Sequence, residues 1–301
     1  MINSKLFKLS ISSIVLFLIG YSIDWQSLNK ININITTIDL IIIISLLTSS
    51  LFLRIYRWHI LINSKSFVID LMGSIQLFFI GQSLNIILPA GAGDVAKGYY
   101  GYKITGIKEK MFAISLVDKL IAIGSILFIT PFASYYFHNY TIIFAGVLSM
   151  LPFFILYKFD TLKKYDIFNV PYNYLSKKIK KINLPLLITY SKIATKKILF
   201  AFSLSIIAWI LTYILLYFCF KIVGLSIDIK IVICSIPLLT LARLFPFTLN
   251  GIGSDEALII FLFATNELSR EPILIAALLY RLILMFLPAL VGLVFIFKNN
   301  K

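Results

Sequence analysis

The sequence contains few of the residues that soluble enzymes use for chemistry. Of its 301 residues, only 13 are acidic, two are histidine and two are cysteine. Cys219 and Cys234 both lie in apolar stretches, which excludes a disulfide framework and a zinc site built from Cys and His. The sequence also lacks a Gly-x-x-x-x-Gly-Lys-Ser/Thr loop, so ATP is not expected to be a direct energy source. We therefore expect neither a cofactor nor a metal ion.

Charged residues are scarce and apolar residues abundant, as in membrane proteins. Only 14% of the residues are charged, against about 25% in ordinary soluble domains, whereas 60% are hydrophobic and the mean hydropathy is +0.95. A helix needs about 20 apolar residues to cross a bilayer. Six runs approach or exceed this length, at about 7–23, 38–58, 111–135, 141–157, 198–222 and 273–297. The first run is followed by Asp24-Trp25-Gln26 rather than by a cleavage pattern of small residues, so we interpret it as a retained helix.

Two further apolar stretches, 71–106 and 231–266, are broken in the middle by proline and glycine. The breaks read Pro89-Ala-Gly-Ala-Gly-Asp94 and Pro246-Phe-Thr-Leu-Asn-Gly-Ile-Gly-Ser-Asp-Glu256. Non-helical backbone at membrane depth survives only where it is buried in protein or lines a wet cavity. Two such breaks in corresponding halves of a chain are typical of a transporter-like binding site at the interface between two repeats. The sequence thus predicts an all-α polytopic membrane protein with about six full transmembrane helices and two opposed re-entrant hairpins.

The basic residues predict how this protein is oriented. If each broken stretch returns to the side it left, 21 of the 28 basic residues face the cytoplasm. Four face outside, namely Lys30, Lys221, Lys230 and Arg270, and three remain at membrane depth, namely Lys119, Arg243 and Arg281. This bias follows the positive-inside rule. We expect a single domain over 1–301 in the plasma membrane, with both termini cytoplasmic and with half-repeats at about 1–157 and 198–301.

A basic loop over 158–197 is expected to join the two half-repeats on the cytoplasmic side. It carries ten lysines with interleaved aromatic residues. Such a segment is typical of a loop held at an anionic leaflet. Docking of a separate lipid-modifying enzyme or glycosyltransferase is the alternative, whereas nucleic-acid binding is not expected.

Ionisable residues at membrane depth are expensive and usually mark a pathway or an internal pair. The candidates are Asp94, Lys97, Asp118, Lys119, Arg243, Asp255, Glu256 and Arg281. Simple helix packing would explain the glycines of the two breaks but not these charges. Lys119 lies near a helix end, where its side chain could also reach the interface. Arg281 is expected to pair with Asp255 or Glu256, or to contact a phosphate.

The order of these features resembles a known family. The features are Arg54-Ile-Tyr-Arg57-Trp58, the break from Asn85 to Lys97, Asp118-Lys119, and the break from Pro246 to Glu256. Together they resemble the flippase-like transmembrane domain of lysylphosphatidylglycerol synthases and of stand-alone members of that superfamily. The resemblance implies movement of an aminoacylated or otherwise modified lipid between leaflets, and some relatives act near polyprenyl-linked sugars. The chain departs from the family in having Asp94 and Lys97 where Glu and Arg are expected, and we expect a stand-alone member without the soluble aminoacyltransferase domain.

The leading hypothesis is therefore a lipid translocator that works passively or by ion coupling, a transporter rather than an enzyme. Arginines would bind the phosphate, and acidic side chains would hold a cationic group or a coupling proton. The residues expected to bind the substrate are Arg54, Arg57, Asn85, Pro89, Gly91, Gly93, Asp94, Lys97, Asp118, Arg243, Pro246, Gly251, Gly253, Asp255, Glu256 and Arg281. A membrane-embedded transferase with Asp94 or Glu256 as general base is the runner-up. A third possibility is an accessory subunit that docks a partner through 158–197.

Overall fold

The computed structural model describes residues 13, 17–21, 23–28, 31, 33–63, 68–88, 92–137, 193–244, 251–264 and 268–299. Within these ranges all regular structure is helical, which confirms the prediction of an all-α polytopic membrane protein. The helices are α1 Trp25–Leu28, α2 Thr37–Ile62, α3 Leu71–Ile87, α4 Gly93–Thr105, α5 Lys108–Phe137, α6 Thr195–Ile222, α7 Ile229–Cys234, α8 Ile236–Leu244, α9 Ser254–Phe263, α10 Arg270–Arg281 and α11 Leu287–Asn299.

Four helical segments are long and apolar enough to cross a membrane. They are Thr37–Ile62, Lys108–Pro131, Thr195–Ile222 and Arg270–Lys298, and they coincide with four of the six predicted spans. Most of the predicted span at 7–23, all of the one at 141–157 and the 158–192 part of the basic loop lie outside the described residues. In α2 the apolar side chains of Ile38, Ile41 and Ile44 are exposed, as expected for a surface that faces lipid.

The first broken stretch forms a helical hairpin of α3 and α4. Asp70 caps α3 by accepting a bond from the backbone N–H of Gly73, and Gly106, with a φ of 72°, ends α4. Gly93 at the start of α4 packs against Asn85 and Gly81 of α3, so the two helices run antiparallel. With 17 and 13 residues they are about 25 and 20 Å long, shorter than the roughly 30 Å hydrocarbon layer.

The second broken stretch contains α7, α8 and α9. The helices on either side of the break, α8 and α9, have nine and ten residues and contact each other. Each is about 15 Å long, roughly half the hydrocarbon thickness. Helix α9 then packs against α10, where Phe263 and Ile273 share the larger hydrophobic core.

The last membrane-crossing segment is attached to both hairpins. Its first half, α10, contacts α9, whereas its second half, α11, packs against α3. Gly292 of α11 lies so close to α3 that an added Cβ would overlap the carbonyl group of Phe79 and the Ser83 hydroxyl, and Ser83 donates to the carbonyl oxygen of Ala289 at 2.5 Å. A π-helical segment, Leu282–Phe286, separates the two halves. Such segments frequently occur at functional sites.

Candidate functional site

The second break places two carboxylates at the start of a helix. Gly251 and Gly253 have positive φ angles of 79° and 86°, just before α9 begins at Ser254. A Cβ on Gly251 would lie 2.5 Å from Asp255 Oδ1, so a side chain at this position would overlap the carboxylate. Asp255 and Glu256 occupy the first turn of α9, where the helix dipole stabilises negative charge. Both side chains are buried.

Arg281 of α10 joins these carboxylates to the last membrane-crossing segment. Its Nε and Nη2 atoms donate to the two oxygens of Glu256, and the Nη2–Oε2 distance is 3.0 Å. Nη2 also lies 3.2 Å from Asp255 Oδ2 and 2.7 Å from the carbonyl oxygen of Gly251. Glu256 Oε2 accepts a further bond from the Gly253 backbone N–H at 2.8 Å. We call these five residues the Arg281 cluster; with two carboxylates and one guanidinium, its formal charge is −1.

A second buried ion cluster is centred on Asp118 of α5. Its Oδ1 accepts from Arg57 Nε at 2.8 Å, and its Oδ2 accepts from Lys97 Nζ at 2.6 Å. Arg57 Nη1 donates to Ser205 Oγ at 2.7 Å, and Lys97 Nζ lies 4.0 Å from the centroid of the Trp58 ring. This Asp118 cluster of Asp118, Arg57 and Lys97 ties α2, α4 and α5 together. Its one carboxylate and two cations give a formal charge of +1.

At the first break, the amide of Asn85 and the ammonium group of Lys119 both contact Asp94. Asn85 Nδ2 donates to Asp94 Oδ1 at 3.1 Å, and Asn85 Oδ1 accepts from the Asp94 backbone N–H at 3.2 Å. Lys119 Nζ lies 3.5 Å from Asp94 Oδ2. Only glycine fits at position 93, because a Cβ there would overlap Asn85 and the carbonyl oxygen of Gly81. Both ends of the Asn85 amide are therefore used to fix the start of α4.

Residues from both broken stretches line one small cavity. It has a volume of about 100 Å³ and is bordered by Arg54, Gln82, Asn85, Asp255, Tyr280, Arg281, Leu284 and Met285. Asn85 holds the first break, whereas Asp255 and Arg281 hold the second, so the two breaks meet at this space. A groove of about 420 Å³ on α2 is larger, but it is lined by Thr48, Ser49, Phe52 and Leu53 and carries no charge. The smaller cavity is therefore the candidate site.

The cavity presents guanidinium groups from two different helices. Arg54 Nη2 donates to Thr212 Oγ1 at 2.6 Å, and its guanidinium carbon lies 5.0 Å from the centroid of the Trp209 ring. Arg281 reaches the cavity from α10, and Asp255 lies beside it. Guanidinium groups match the oxygens of phosphate, and a carboxylate matches a cation. The arrangement can therefore bind an anionic group together with a positively charged one.

The sequence-predicted residues whose side chains or backbone the structure describes fall into three groups. Four of them line the cavity, namely Arg54, Asn85, Asp255 and Arg281. Arg57, Lys97 and Asp118 instead bind one another, and Lys97 contacts Asp118 rather than Asp94. Gly93, Gly251 and Gly253 shape the backbone, while Asp94 and Glu256 bind Asn85 and Arg281, respectively. Pro89, Gly91 and Pro246 lie outside the described residues, as does the side chain of Arg243.

Two polar residues of the cavity wall escaped the sequence prediction. Gln82 lies three residues before Asn85 on α3, and Tyr280 directly precedes Arg281 on α10. Residues three apart share a helix face, so the helical period could have identified Gln82. No comparable signal marks Tyr280, since aromatic residues make up 15% of the chain.

Comparison with known families assigns the chain to a family of membrane proteins. Within the described residues no group of three or more His, Cys, Asp or Glu side chains could hold a metal ion. Residues 5–292 match the family model of the lysylphosphatidylglycerol synthase TM region. The chain belongs to this family. The searches of curated proteins and of solved structures gave no match.

The residues that match the lysylphosphatidylglycerol synthase TM family include both breaks, both ion clusters and the cavity. The match extends from before α1 into α11, so it includes every residue that lines the cavity. A membrane protein with a lipid-related function is consistent with a charged cavity enclosed by apolar helices.

Proposed function

We propose that this protein is a flippase-like translocator that moves a phosphate-containing lipid between the two leaflets. The observation that carries the proposal is the cavity itself, because its walls combine Arg54, Arg281 and Asp255 from helices that belong to different halves of the chain. A charged wall at membrane depth is expensive unless it serves a ligand or an internal pair. The family match supports the same class of function.

In the proposed mechanism the cavity shields the head group while the acyl chains stay in lipid. Arg54 and Arg281 bind the phosphate oxygens, because their forked donors match them. Asp255 holds a cationic part of the head group or a coupling proton. The lipid is a modified phospholipid or a polyprenyl-linked lipid, and its movement is passive or ion-coupled.

The proposal includes an orientation in the plasma membrane. Both termini face the cytoplasm, the hairpin of α3 and α4 enters from the cytoplasmic side, and the hairpin of α8 and α9 enters from outside. The distribution of lysines and arginines supports this orientation. Each leaflet then has its own hairpin, and the cavity lies where the two hairpins meet. A lipid-modifying enzyme or glycosyltransferase docking at 158–197 would supply or consume the lipid.

Translocation requires the cavity to widen. Its volume of about 100 Å³ is below the roughly 300–1,000 Å³ of ordinary ligand pockets. The π segment Leu282–Phe286 contributes Leu284 and Met285 to the wall and separates α10 from α11. Because α10 contacts α9 while α11 is packed on α3, a change in the π segment would move the two hairpins apart. We place the widening there.

Purified protein in liposomes provides the test. A fluorescent phosphodiester lipid is placed in both leaflets, a membrane-impermeant quencher is added, and the fraction that becomes quenched reports transfer. We expect transfer by the wild type, and at least a tenfold loss with Arg54→Gln and with Arg281→Gln, which corresponds to at least about 1.4 kcal/mol. Arg270→Gln is the matched control, because Arg270 is an exposed arginine at the start of α10.

Two results would overturn the proposal. Transfer at the same rate in protein-free vesicles would show that the protein moves no lipid. A change in the mass of the recovered lipid, without transfer, would favour the membrane-embedded transferase instead.

A further inference from the structure

The helices form two packed groups that meet where α4 lies against α5. In the first, the hairpin group, α3 packs against both α4 and α11. In the second, the core group, helices α5 to α10 share the larger hydrophobic core, against which α2 also packs. The π segment Leu282–Phe286 connects the groups along the chain, between α10 and α11. A widening at this segment therefore has to loosen the contact between α4 and α5.

Two ion pairs join α4 to α5 across this boundary. Lys97 Nζ of α4 lies 2.6 Å from Asp118 Oδ2 of α5, and both side chains are buried. Lys119 Nζ of α5 lies 3.5 Å from Asp94 Oδ2 of α4, and both side chains are partly exposed. Each helix thus contributes one acid and one base. Because a buried charge without a partner is unfavourable, the two groups can separate only if the members of the buried pair find other partners.

Each member of the buried pair has a second partner within its own group. Asp118 also accepts from Arg57 Nε at 2.8 Å, and Arg57 lies on α2 in the core group. Lys97 lies three residues after Asp94 on α4, and residues three apart share a helix face. Asp94 is held in the hairpin group by Asn85 of α3. Separation of the groups would therefore leave one neutral ion pair in each of them.

We propose that the contact between α4 and α5 is a latch that opens by exchange of ion pairs. Lys97 leaves Asp118 and binds Asp94. Asp118 stays bound to Arg57. The inference rests on the proposed function, because the latch would serve to open the cavity for the lipid. Asn85 lines the cavity and belongs to the hairpin group, so opening of the latch draws this part of the wall away from the core group.

The second hairpin stays with the core group when the latch opens. Arg281 of α10 contacts both Asp255 and Glu256 of α9. Since one guanidinium group serves both carboxylates, a movement of α9 away from α10 would separate both acids from it. Exchange of partners is therefore built into the first break, whereas the second break is fixed.

The test follows opening of the latch by the alkylation rate of a buried thiol. Ser115 of α5 faces α4, because a Cβ on Gly98 would lie 2.9 Å from its Oγ. Ser115→Cys is introduced into the full chain without its two native cysteines, and reaction with N-ethylmaleimide in detergent micelles is followed by mass. A buried thiol reacts when the contact is open, so the rate follows the population of the open state.

Ser50→Cys provides the matched reporter. Ser50 is buried, and its hydroxyl donates to a carbonyl oxygen of its own helix, as that of Ser115 does. It lies on α2, away from the contact between α4 and α5. Its alkylation therefore reports general loosening of the fold rather than opening of the latch.

Two variants that replace an acid by its amide should shift the rate in opposite directions. Asp118→Asn removes the partner of Lys97 in the closed state, so the Ser115→Cys reporter should react about tenfold faster. Asp94→Asn removes the partner of Lys97 in the open state, so the same reporter should react about tenfold more slowly. The Ser50→Cys reporter should stay within about twofold of its original rate in both variants.

The slower reaction is the decisive result, because a variant that merely loosened the contact would speed up alkylation. Unchanged or faster alkylation in Asp94→Asn would therefore overturn the inference. If Asp118→Asn accelerates both reporters alike, it unfolds the whole chain, and Lys119→Met takes its place. Lys119→Met removes the partly exposed pair of the closed state, so it should accelerate the Ser115→Cys reporter alone by about two- to fivefold. An unchanged rate there would contradict the latch.

The alkylation assay contains no substrate lipid, so it separates the latch from the proposed function. Opposite shifts in Asp118→Asn and Asp94→Asn, without lipid transfer by the wild type in liposomes, would leave the latch and remove the translocator. Lipid transfer that Arg281→Gln abolishes, together with alkylation that Asp94→Asn leaves unchanged, would remove the latch and leave the translocator.

Discussion

Replacing Arg281 should expose how strongly the Arg281 cluster stabilises the fold. Arg281 is 8% exposed, and Asp255 and Glu256 are 4% and 2% exposed. Arg281→Met removes the guanidinium group that contacts both buried carboxylates of this cluster. Removal of one partner of a buried ion pair costs about 3–5 kcal/mol. We expect Arg281→Met to lower the free energy of unfolding by this amount.

Glu256→Gln should lower the free energy of unfolding by less than Arg281→Met does. Gln keeps the shape of the side chain, and Arg281 retains Asp255 Oδ2 at 3.2 Å and the Gly251 carbonyl oxygen at 2.7 Å. The loss then corresponds to a charged hydrogen bond, about 1.5–3 kcal/mol. In the double variant the mutual repulsion of the two carboxylates is absent, so its loss should be smaller than the sum of the single losses by about 1–3 kcal/mol.

The assay is reversible unfolding in mixed micelles, with the free energy of unfolding measured for the wild type, both single variants and the double variant. Lys221→Met is the control, because Lys221 is an exposed cation that lies 4.0 Å from Asp39. An exposed pair contributes about 0–1 kcal/mol, so this variant should be nearly neutral. Additive losses within about 0.5 kcal/mol would refute the coupling between Arg281 and Glu256.

Three further predictions test the rest of the structure. Asp118→Asn should lower the free energy of unfolding by about 3–5 kcal/mol, because two buried cations lose their shared carboxylate. Adding Lys97→Met should restore part of this loss. If nothing is restored, the two cations do not share the Asp118 site. In a background without native cysteines, an impermeant thiol reagent added outside intact cells should label a cysteine at Arg270 but not one at Lys103, and labelling at Lys103 would contradict the proposed orientation. Gly292→Ala should destabilise the protein by about 1–3 kcal/mol, since its Cβ would overlap the neighbouring helix; an unchanged unfolding midpoint would show that the two helices separate freely.

The transmembrane helices could be predicted well because hydropathy depends on composition over a long window. The predicted span at 38–58 corresponds to Thr37–Ile62, and that at 198–222 to Thr195–Ile222. The start of α9 near Ser254 was also predictable, since glycines before acidic residues favour a turn followed by a helix N-terminus. Pairing of Arg281 with Asp255 or Glu256 was one of the two roles expected from the cost of isolated charges in hydrocarbon, and the structure shows contacts with both carboxylates.

The partners within the first half could not be predicted in the same way. Arg57, Lys97 and Asp118 lie on three different helices, and their meeting depends on how far each helix is shifted along its axis. The axial shift between the three helices cannot be predicted from any local sequence pattern. The π segment Leu282–Phe286 likewise has an ordinary apolar sequence and only becomes visible through its hydrogen bonds. Which residues share the cavity therefore follows from tertiary packing rather than from periodicity.

The position of Arg281 in the chain has a consequence for biosynthesis. Arg281 is translated 25 residues after Glu256, so α9 is complete before its guanidinium partner has been made. Until then, the first turn of α9 carries two negative charges that oppose entry into hydrocarbon. We therefore expect the second hairpin and the last membrane-crossing segment to enter the bilayer together rather than one after the other.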